Sequence, residues 1–585
     1  MDNATIPEAR QALREQKPFF RRAIVFSVAI GALMLAPSFY MLEVYDRVVN
    51  SRSVMTLAML TLLLGLAYFV LESLQWARTG TLRLAAEGFD EKMGARVYDA
   101  VFRANLSGAR AAGLRGLRDF ASVRDFIFGG SAAALMDIPM ALLLIGVIFW
   151  INTTLGCFSL VSACLQAVIA GLNKRASGPP LGKANEASAR AQNFAQAALR
   201  NGEVVQAMGM AEGLRQHWLT AQEDMLGNQA QASDRGSLYS TLAKYVQIVS
   251  GSLTLGIGSW LIVSGRFDGS AGVMLMASII NGRALAPLVQ VISGWRNVAN
   301  ARAAMDRLEA LLAQIPARSP SLPLPPPKGL LQAEQASAAA PGSNVSILHN
   351  LSFAIPPGKT LAIVGPSASG KSSLAHLLVG VWPCASGKVR LDGVDIFSWN
   401  KEELGPYIGY LPQDVALFDG TLAENIARFG EVDPERVEEA ARRVGLHEII
   451  HALPQGYDTE VGAEGVALSG GMRQRVGLAR ALYGNPRFVA LDEPNANLDD
   501  AGEAALIAAL NHLRDDGVTV ALITHRTSLL DVADLMLALF DGEVKLYGPR
   551  DEVLAALRGQ QPAPVSAPRP QPQPRPRPVP TPRWA

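Results

Sequence analysis

The sequence predicts a multidomain chain: an all-α transmembrane domain of six helices, followed by an α/β domain of the P-loop type. Three observations predict it. Charged residues make up only 18% of the 585, against about 25% in soluble globular chains, so part of the chain avoids charge. Every apolar run long enough to cross a bilayer ends at or before Trp295. From about residue 330 the pattern changes to short β-branched runs alternating with helical stretches, as in a parallel sheet. The same composition excludes a mainly disordered chain, and the length calls for several cores. Cys157, Cys164 and Cys384 are too few for a disulfide scaffold or a four-thiolate zinc site.

Residues 1–22 read as a polar cytoplasmic segment. Residues 23–42 are 20 residues without a charge. Their length, the polar stretch before them and Glu43-Val-Tyr-Asp-Arg47 after them argue for a retained helix over a secretory leader. Residues 53–71 give the second span. Residues 138–173, 36 uncharged positions broken by Ile151-Asn-Thr-Thr154, suit a hairpin of two. Residues 245–265 and 269–295, the latter interrupted at Arg283, complete six. Roughly 20 apolar residues at about 1.5 Å each span the hydrocarbon core.

Lys and Arg set the orientation. The N-terminal segment and the connections 75–130 and 173–244 carry 22, while the three short loops carry Arg47, Arg52 and Arg266 only. The N-terminus and both long connections are therefore expected in the cytoplasm. Those connections are rich in Ala, Arg, Glu and Gln, which favours helices running well beyond the bilayer. The domain is read as residues 23–315.

A proline-rich linker, 316–329, follows as a stiff, extended segment. The α/β domain is read as 330–558. The tail 559–585 holds ten prolines, four arginines and no acid, so it cannot bury a core. The net charge of +1 is an average of unlike parts, about +7 before the linker and −12 in the α/β domain. Neutrality thus says nothing about partners, and no basic surface for nucleic acid is implied.

Lys359-Thr-Leu-Ala-Ile-Val364 reads as a buried strand running into Gly365-Pro366-Ser367-Ala368-Ser369-Gly370-Lys371-Ser372-Ser373. This is GxxxxGK[ST] in strand–loop–helix context. Backbone N–H groups and the positive end of the following helix would cradle phosphates. Lys371 would reach the β- and γ-phosphates, and the Ser372 hydroxyl would ligate Mg²⁺. A second strand, Phe488-Val-Ala-Leu491, delivers Asp492 as the other Mg²⁺ holder and Glu493 to orient or activate the attacking water.

Between these motifs stands Leu468-Ser469-Gly470-Gly471-Met-Arg-Gln-Arg475. With it the chain resembles an ABC (ATP-binding cassette) exporter over residues 20–558, with Met472 where the family more usually has Gln. The resemblance implies ATP and Mg²⁺ as cofactors. It implies that Gln413, in Tyr410-Leu-Pro-Gln413, senses Mg²⁺ and the transmembrane domain, and that His525, in Ile523-Thr-His525, contacts the γ-phosphate. Asp499, in Asn495-Ala-Asn-Leu-Asp499, would line a dimer contact. Ser469, Gly470 and Gly471 would bind the γ-phosphate held by a partner's P-loop, so one chain with one P-loop implies a homodimer. One departure stands out: Ala338-Ala-Ala-Pro341 occupies the stretch where the family often stacks an aromatic on adenine. Base stacking is then weaker or supplied elsewhere.

Within the family, Tyr40-Met-Leu-Glu-Val-Tyr-Asp-Arg-Val48, Gly282-Arg-Ala-Leu-Ala-Pro287, Ile408-Gly-Tyr-Leu-Pro-Gln-Asp-Val-Ala-Leu-Phe-Asp-Gly-Thr421 and Pro494-Asn-Ala-Asn-Leu-Asp499 are similar to the type I secretion branch, which exports proteases and RTX-type proteins. That branch implies a multi-pass protein of a bacterial inner membrane, a periplasmic membrane-fusion adaptor, an outer-membrane channel and an unfolded polypeptide substrate. The peptidase-like domain that some such exporters carry before the first helix has no counterpart in residues 1–22. The alternative is an exporter of peptides, lipids or drugs with the same ATPase engine.

Other features have two readings. His447-Glu448-Ile-Ile-His451 matches the HExxH of zinc peptidases, with Glu464 as a conceivable third ligand. Pro454 and Tyr457 break the longer form of that motif, which favours a solvated helix. Arg283, costing about 2.5–3.5 kcal/mol at a bilayer centre, faces the translocation path or marks where the helix meets water. Asp137 reads as interfacial, and Cys157 and Cys164 as small packing residues. The tail arginines touch anionic lipid or belong to a plain disordered end.

Overall fold

The computed structural model describes residues 7–108, 110–267, 270–317, 323–343, 345–462 and 468–559. Residues 318–322 of the linker, Glu464 and residues 560–585 of the tail lie outside the described residues. The chain divides into two compact units, Met1–Asn105 with Ala111–Ala317, and Leu106–Arg110 with Arg318–Ala585.

The first unit is helical. Lys17–Ser51, Val54–Leu106, Thr153–Arg200, Ala211–Val263 and Gly272–Ser293 are long and apolar enough to span a membrane. A sixth span is a pair, Gly130–Met136 and Ile138–Ile151, meeting at 41°. Pro139 sits in the first turn of the second member, where its missing N–H does no harm. The polar turn anticipated near residue 152 is a helix cap. Asn152 is extended (φ −160°), and its side chain accepts hydrogen bonds from the N–H of Thr154 at 2.9 Å and of Leu155 at 3.4 Å.

Three of these helices are much longer than a bilayer crossing requires. Val54–Leu106 and Ala211–Val263 each have 53 residues and Thr153–Arg200 has 48. At 1.5 Å per residue they run to about 70–80 Å, more than twice the hydrocarbon core. The first span is not straight. Lys17–Leu33 gives way to Ala36–Glu43, then to a π-helical turn at Val44–Val48, and ends at Arg52 in the left-handed region (φ 50°). The Asp46 carboxylate on that turn accepts a hydrogen bond from Ser270 Oγ at 2.7 Å, tying the first span to the start of the last.

Polar clamps hold the later spans together, as expected where apolar burial gives helices no reason to associate. Buried Asn281 accepts from Ser159 Oγ at 2.7 Å and donates to Ser250 Oγ at 3.2 Å and Thr254 Oγ1 at 3.0 Å. Gln166 donates to the Ala243 carbonyl at 2.7 Å and Asn173 to the Ile292 carbonyl at 3.1 Å. Asp137 is more than an interfacial charge, because Arg78 pairs with it at 2.7 Å and also donates to Ser27. Cys157 and Cys164 are exposed, so they do not pack the bundle as anticipated. Arg283 is exposed as well.

In the second unit the strands are β1 (Leu331–Ala339), β2 (Ser346–Ile355), β3 (Thr360–Val364), β4 (Ser386–Leu391), β5 (Val394–Asp395), β6 (Ile408–Leu411), β7 (Gly420–Thr421), β8 (Glu460–Val461), β9 (Phe488–Asp492), β10 (Thr519–Ile523), β11 (Leu535–Phe540) and β12 (Glu543–Pro549). A six-stranded sheet has the order β12-β11-β3-β10-β9-β6. All its neighbours are parallel except β11 and β12. β3, β9 and β10 are buried almost throughout, as strands covered on both faces must be. A second sheet, β2-β1-β4-β5, is antiparallel, and the sequence pattern did not foretell it. Register aligns the site. Ile523 pairs with both Ile363 and Asp492, and Leu491 with Leu411, so the carboxyl ends of β3, β10, β9 and β6 form one edge.

Candidate active site

Four strands end at that edge, and each hands on a functional side chain or turn: Gly365 after β3, Glu493 after β9, His525 after β10 and Gln413 after β6. Ligands of open α/β sheets bind at such carboxyl edges.

The loop after β3 closes tightly. A Cβ on Gly365 would lie 2.1 Å from the Leu539 carbonyl oxygen, so no side chain fits there. Gly370 caps the helix Lys371–Leu378 at φ 96°. Pro366, Ser367 and Ala368 form an exposed lip, while Ser369 is buried. Lys371, only 7% exposed, donates its ammonium to the carbonyls of Gly365 at 3.0 Å and Pro366 at 2.8 Å. The Ser369 hydroxyl is buried with no hydrogen-bond partner among the described residues. A bent-back lysine and an orphaned hydroxyl on one loop fit the phosphates of a nucleotide.

Asp492 is 2% exposed at the end of β9 and accepts a hydrogen bond from Ser372. Burial raises its pKa above the ordinary carboxylate value, against the Ser372 hydrogen bond and with help from the Glu493 charge. A carboxylate and a hydroxyl already in contact, in a site that penalises free negative charge, fit a Mg²⁺ ion. When bound, that ion would neutralise phosphate charge.

Glu493 stands between two neighbours. Gln413 Nε2 donates to one carboxylate oxygen at 3.2 Å, and His525 Nε2 is 3.4 Å from the other. The three residues assigned to catalysis thus meet. Lys371, Ser372 and Asp492 meet beside them.

Ser469, Gly470, Gly471 and Asp499 form a second group. Ser469 caps the helix Gly470–Leu482 by accepting from the Met472 N–H at 3.3 Å. Gly470 and Gly471 lie against Asn497, and a Cβ on Gly471 would be 2.8 Å from its carbonyl oxygen. Asp499 accepts from the Gly502 N–H at 2.9 Å and from Arg475 at 2.5 Å, although its side chain is 69% exposed. The Gly502 N–H, ahead of Arg475, holds its pKa below the usual carboxylate value.

Sequence reasoning missed the residues that join the groups. Gln474, 3% exposed, donates to the carbonyls of Glu493 at 3.5 Å and Pro494 at 3.4 Å, linking the Ser469 helix to the end of β9. Arg428 donates to four carbonyls, of Gly405, Ile408, Arg480 and Ala481, at 2.8–3.1 Å. Burial pushes its pKa down to about 10, so it stays charged at neutral pH. It ties the start of β6, which leads to Gln413, to the end of the Ser469 helix. Gln474 lies inside the string that marked the family, and only its burial singles it out. Nothing in sequence distinguishes Arg428 from a surface arginine.

His447 and His451 pack on each other and on Tyr457, and Glu464, the third ligand considered for them, lies outside the described residues. The rings meet edge-on at 4.5 Å, and His447 Nδ1 is 2.8 Å from the Tyr457 hydroxyl. Among the described residues no group of three His, Cys, Asp or Glu could hold a metal. Ala338, where an adenine-stacking aromatic would stand, is wholly buried in β1 and pairs with Leu348.

Residues 348–496 match the ABC transporter family, and residues 20–282 match the ABC transporter transmembrane region. The chain is 39% identical over 553 residues to the type I secretion system ATP-binding protein PrsD of Rhizobium meliloti, covering 94% of this chain and 95% of that one. It is 27% identical to the cyclolysin secretion/processing ATP-binding protein CyaB of Bordetella pertussis, over 93% of this chain and 77% of the relative. A solved bacterial Atm1-family ABC exporter with ATP bound has the same fold, with a TM-score of 0.80 at 23% identity, over 97% of this chain and 100% of that one.

Proposed function

The chain belongs to the ABC transporters, among the type I secretion ATP-binding proteins, and from that membership we propose how its residues divide the work of an ATP-driven polypeptide exporter. ATP hydrolysis in the second unit is coupled to export through the membrane unit. The protein is multi-pass in the inner membrane, and its Lys and Arg distribution supports a cytoplasmic ATP-binding domain. Residues 365–373 hold the phosphates, with Lys371 as the counter-charge. Ser372, Asp492 and Gln413 hold Mg²⁺. Glu493 takes a proton from the attacking water, and His525 holds both Glu493 and the γ-phosphate in register. Ser469, Gly470 and Gly471 complete the site of a second copy, with Asp499 at the contact, so the working unit is a homodimer. An adaptor in the periplasm and an outer-membrane channel continue the path for an unfolded polypeptide.

The observation that carries this reading is the Glu493 carboxylate held between Gln413 and His525 at the edge that also bears Lys371 and Asp492. General bases contribute about 10²–10⁴-fold. Glu493→Gln is expected to lower ATP hydrolysis by at least about 100-fold, while ATP binding persists and a dimer accumulates on size-exclusion chromatography. Equal turnover by both proteins would remove Glu493 from the role of base.

A further inference from the structure

The membrane unit contains an apolar cavity of about 400 Å³, within the range of about 300–1,000 Å³ typical of ligand sites. It lies under the N-terminal helix Glu8–Glu15. Leu13 comes from that helix, Phe20 from the first span, Ile127 from Arg110–Phe128, Pro139 from the bent pair, and Ala301 and Met305 from Trp295–Gln314. Among the described residues, Arg302 is the one charged residue in its lining. Phe20 and Pro139 flank positions 23 and 138, where two uncharged runs begin. The Lys and Arg distribution assigns both positions to the cytoplasmic face.

Some charges near the cavity are paired within the chain, whereas Arg14, Arg21 and Arg22 on the same N-terminal helices have no ion pair among the described residues. Arg10 pairs with Asp306 and Glu309 at 3.0 Å, Arg96 with Glu8 at 2.9 Å, Arg307 with Asp119 at 2.6 Å and Lys92 with Glu15. Arg302 and Lys17 have no ion pair or side-chain hydrogen bond among the described residues. Lys17 shares a helix face with Phe20 and Ile24, at i, i+3 and i+7, and stands exposed on that face just outside the lining. An apolar chamber at headgroup depth, with two unneutralised cations beside it, complements a molecule with an apolar chain and an anionic head.

We propose that this cavity binds one acyl chain of an anionic phospholipid from the cytoplasmic leaflet, with Lys17 and Arg302 on its phosphate. The lipid then seats the N-terminal helix against Trp295–Gln314. Basic residues near a bilayer attract anionic lipid by about 1 kcal/mol each, on the order of fivefold per charge.

The test is native mass spectrometry of the full-length exporter in mild detergent, titrated with phosphatidylglycerol or phosphatidylcholine. The wild type is expected to retain phosphatidylglycerol at least about tenfold better. Lys17→Gln with Arg302→Gln is expected to abolish the preference, and Arg302→Lys to keep it. Ala301→Trp, filling the chamber, is expected to expel the lipid, with melting temperature and ATP hydrolysis reporting an intact fold. Equal retention of the two lipids would reduce the site to annular lipid and overturn the proposal. So would unchanged phosphatidylglycerol binding in both cavity variants, or displacement of the lipid by an apolar polypeptide.

Discussion

Glu493 sits at φ 49°, in the left-handed region that non-glycine residues seldom occupy. Its N–H donates to the Ile523 carbonyl at 3.0 Å, and Gln474 donates to its carbonyl, so the turn is fixed from both sides. Motif spacing named the residue, but the backbone that aims it depends on β10 and on the Ser469 helix. His376 shows a different dependence. Its half-buried ring stacks on Trp382 at 4.9 Å and meets Tyr410 edge-on at 6.0 Å. Burial pushes its pKa below the ordinary value near 6.5, against the pull of the Asp492 charge. Well above about pH 6.5 the imidazole is neutral in both folded and unfolded chains and contributes nothing to pH dependence. Below it, the unfolded chain takes up a proton that the folded one refuses, so stability falls with pH. Replacing His376 by Phe is expected to flatten the loss of melting temperature between about pH 7 and 5.5. Identical slopes would exclude His376 as a source of acid sensitivity.

At the scale of elements, spans were legible because hydrocarbon excludes charge over about 20 residues, a signal that needs no tertiary contact. The turn at Asn152 was legible because it interrupts such a run with a polar side chain able to cap a helix. β1 was not. Its sequence, LQAEQASAA, is poor in the branched and aromatic residues that mark strands. It is a strand because β2 and β4 pair with it on both edges, with Leu331, Ala336 and Ala338 wholly buried. The clamp at Asn281 escaped for a similar reason, since an asparagine in an apolar run does not declare its partners. Asn281→Leu removes three interspan hydrogen bonds. Because Ser250 and Thr254 keep their own helix carbonyls as acceptors, the loss should stay near about 1–2 kcal/mol. Thermal unfolding of the purified variant should show a lower midpoint with the span content retained, and an unchanged midpoint would mean the clamp does not hold the spans.

For the whole molecule, one chain carries one P-loop group and one Ser469–Gly471 group, and in the proposed homodimer each site draws one group from each copy. Mixing two inactive proteins tests this. Lys371→Ala disables one group and Ser469→Arg the other, so each homodimer lacks any intact site. A mixed dimer puts both lesions into the same site and leaves the other whole. Co-expressed with separate tags and purified through both, it is expected to recover about half of wild-type ATP hydrolysis. No recovery would mean that each chain completes its own site.

The sequence by itself determined the helical membrane unit, the α/β ATPase, the branch of exporters and the identity of the phosphate, metal and catalytic candidates. Charge exclusion by the bilayer and short-range motif geometry both act locally along the chain. Tertiary structure alone decided which of those residues touch. It bent the third span, paired Arg78 with Asp137, set Arg428 on four carbonyls, and left Arg302 without a partner among the described residues in the lining of an apolar chamber. Those outcomes depend on which distant backbone or side chain arrives next to a group, and burial turns the presence or absence of that neighbour into energy.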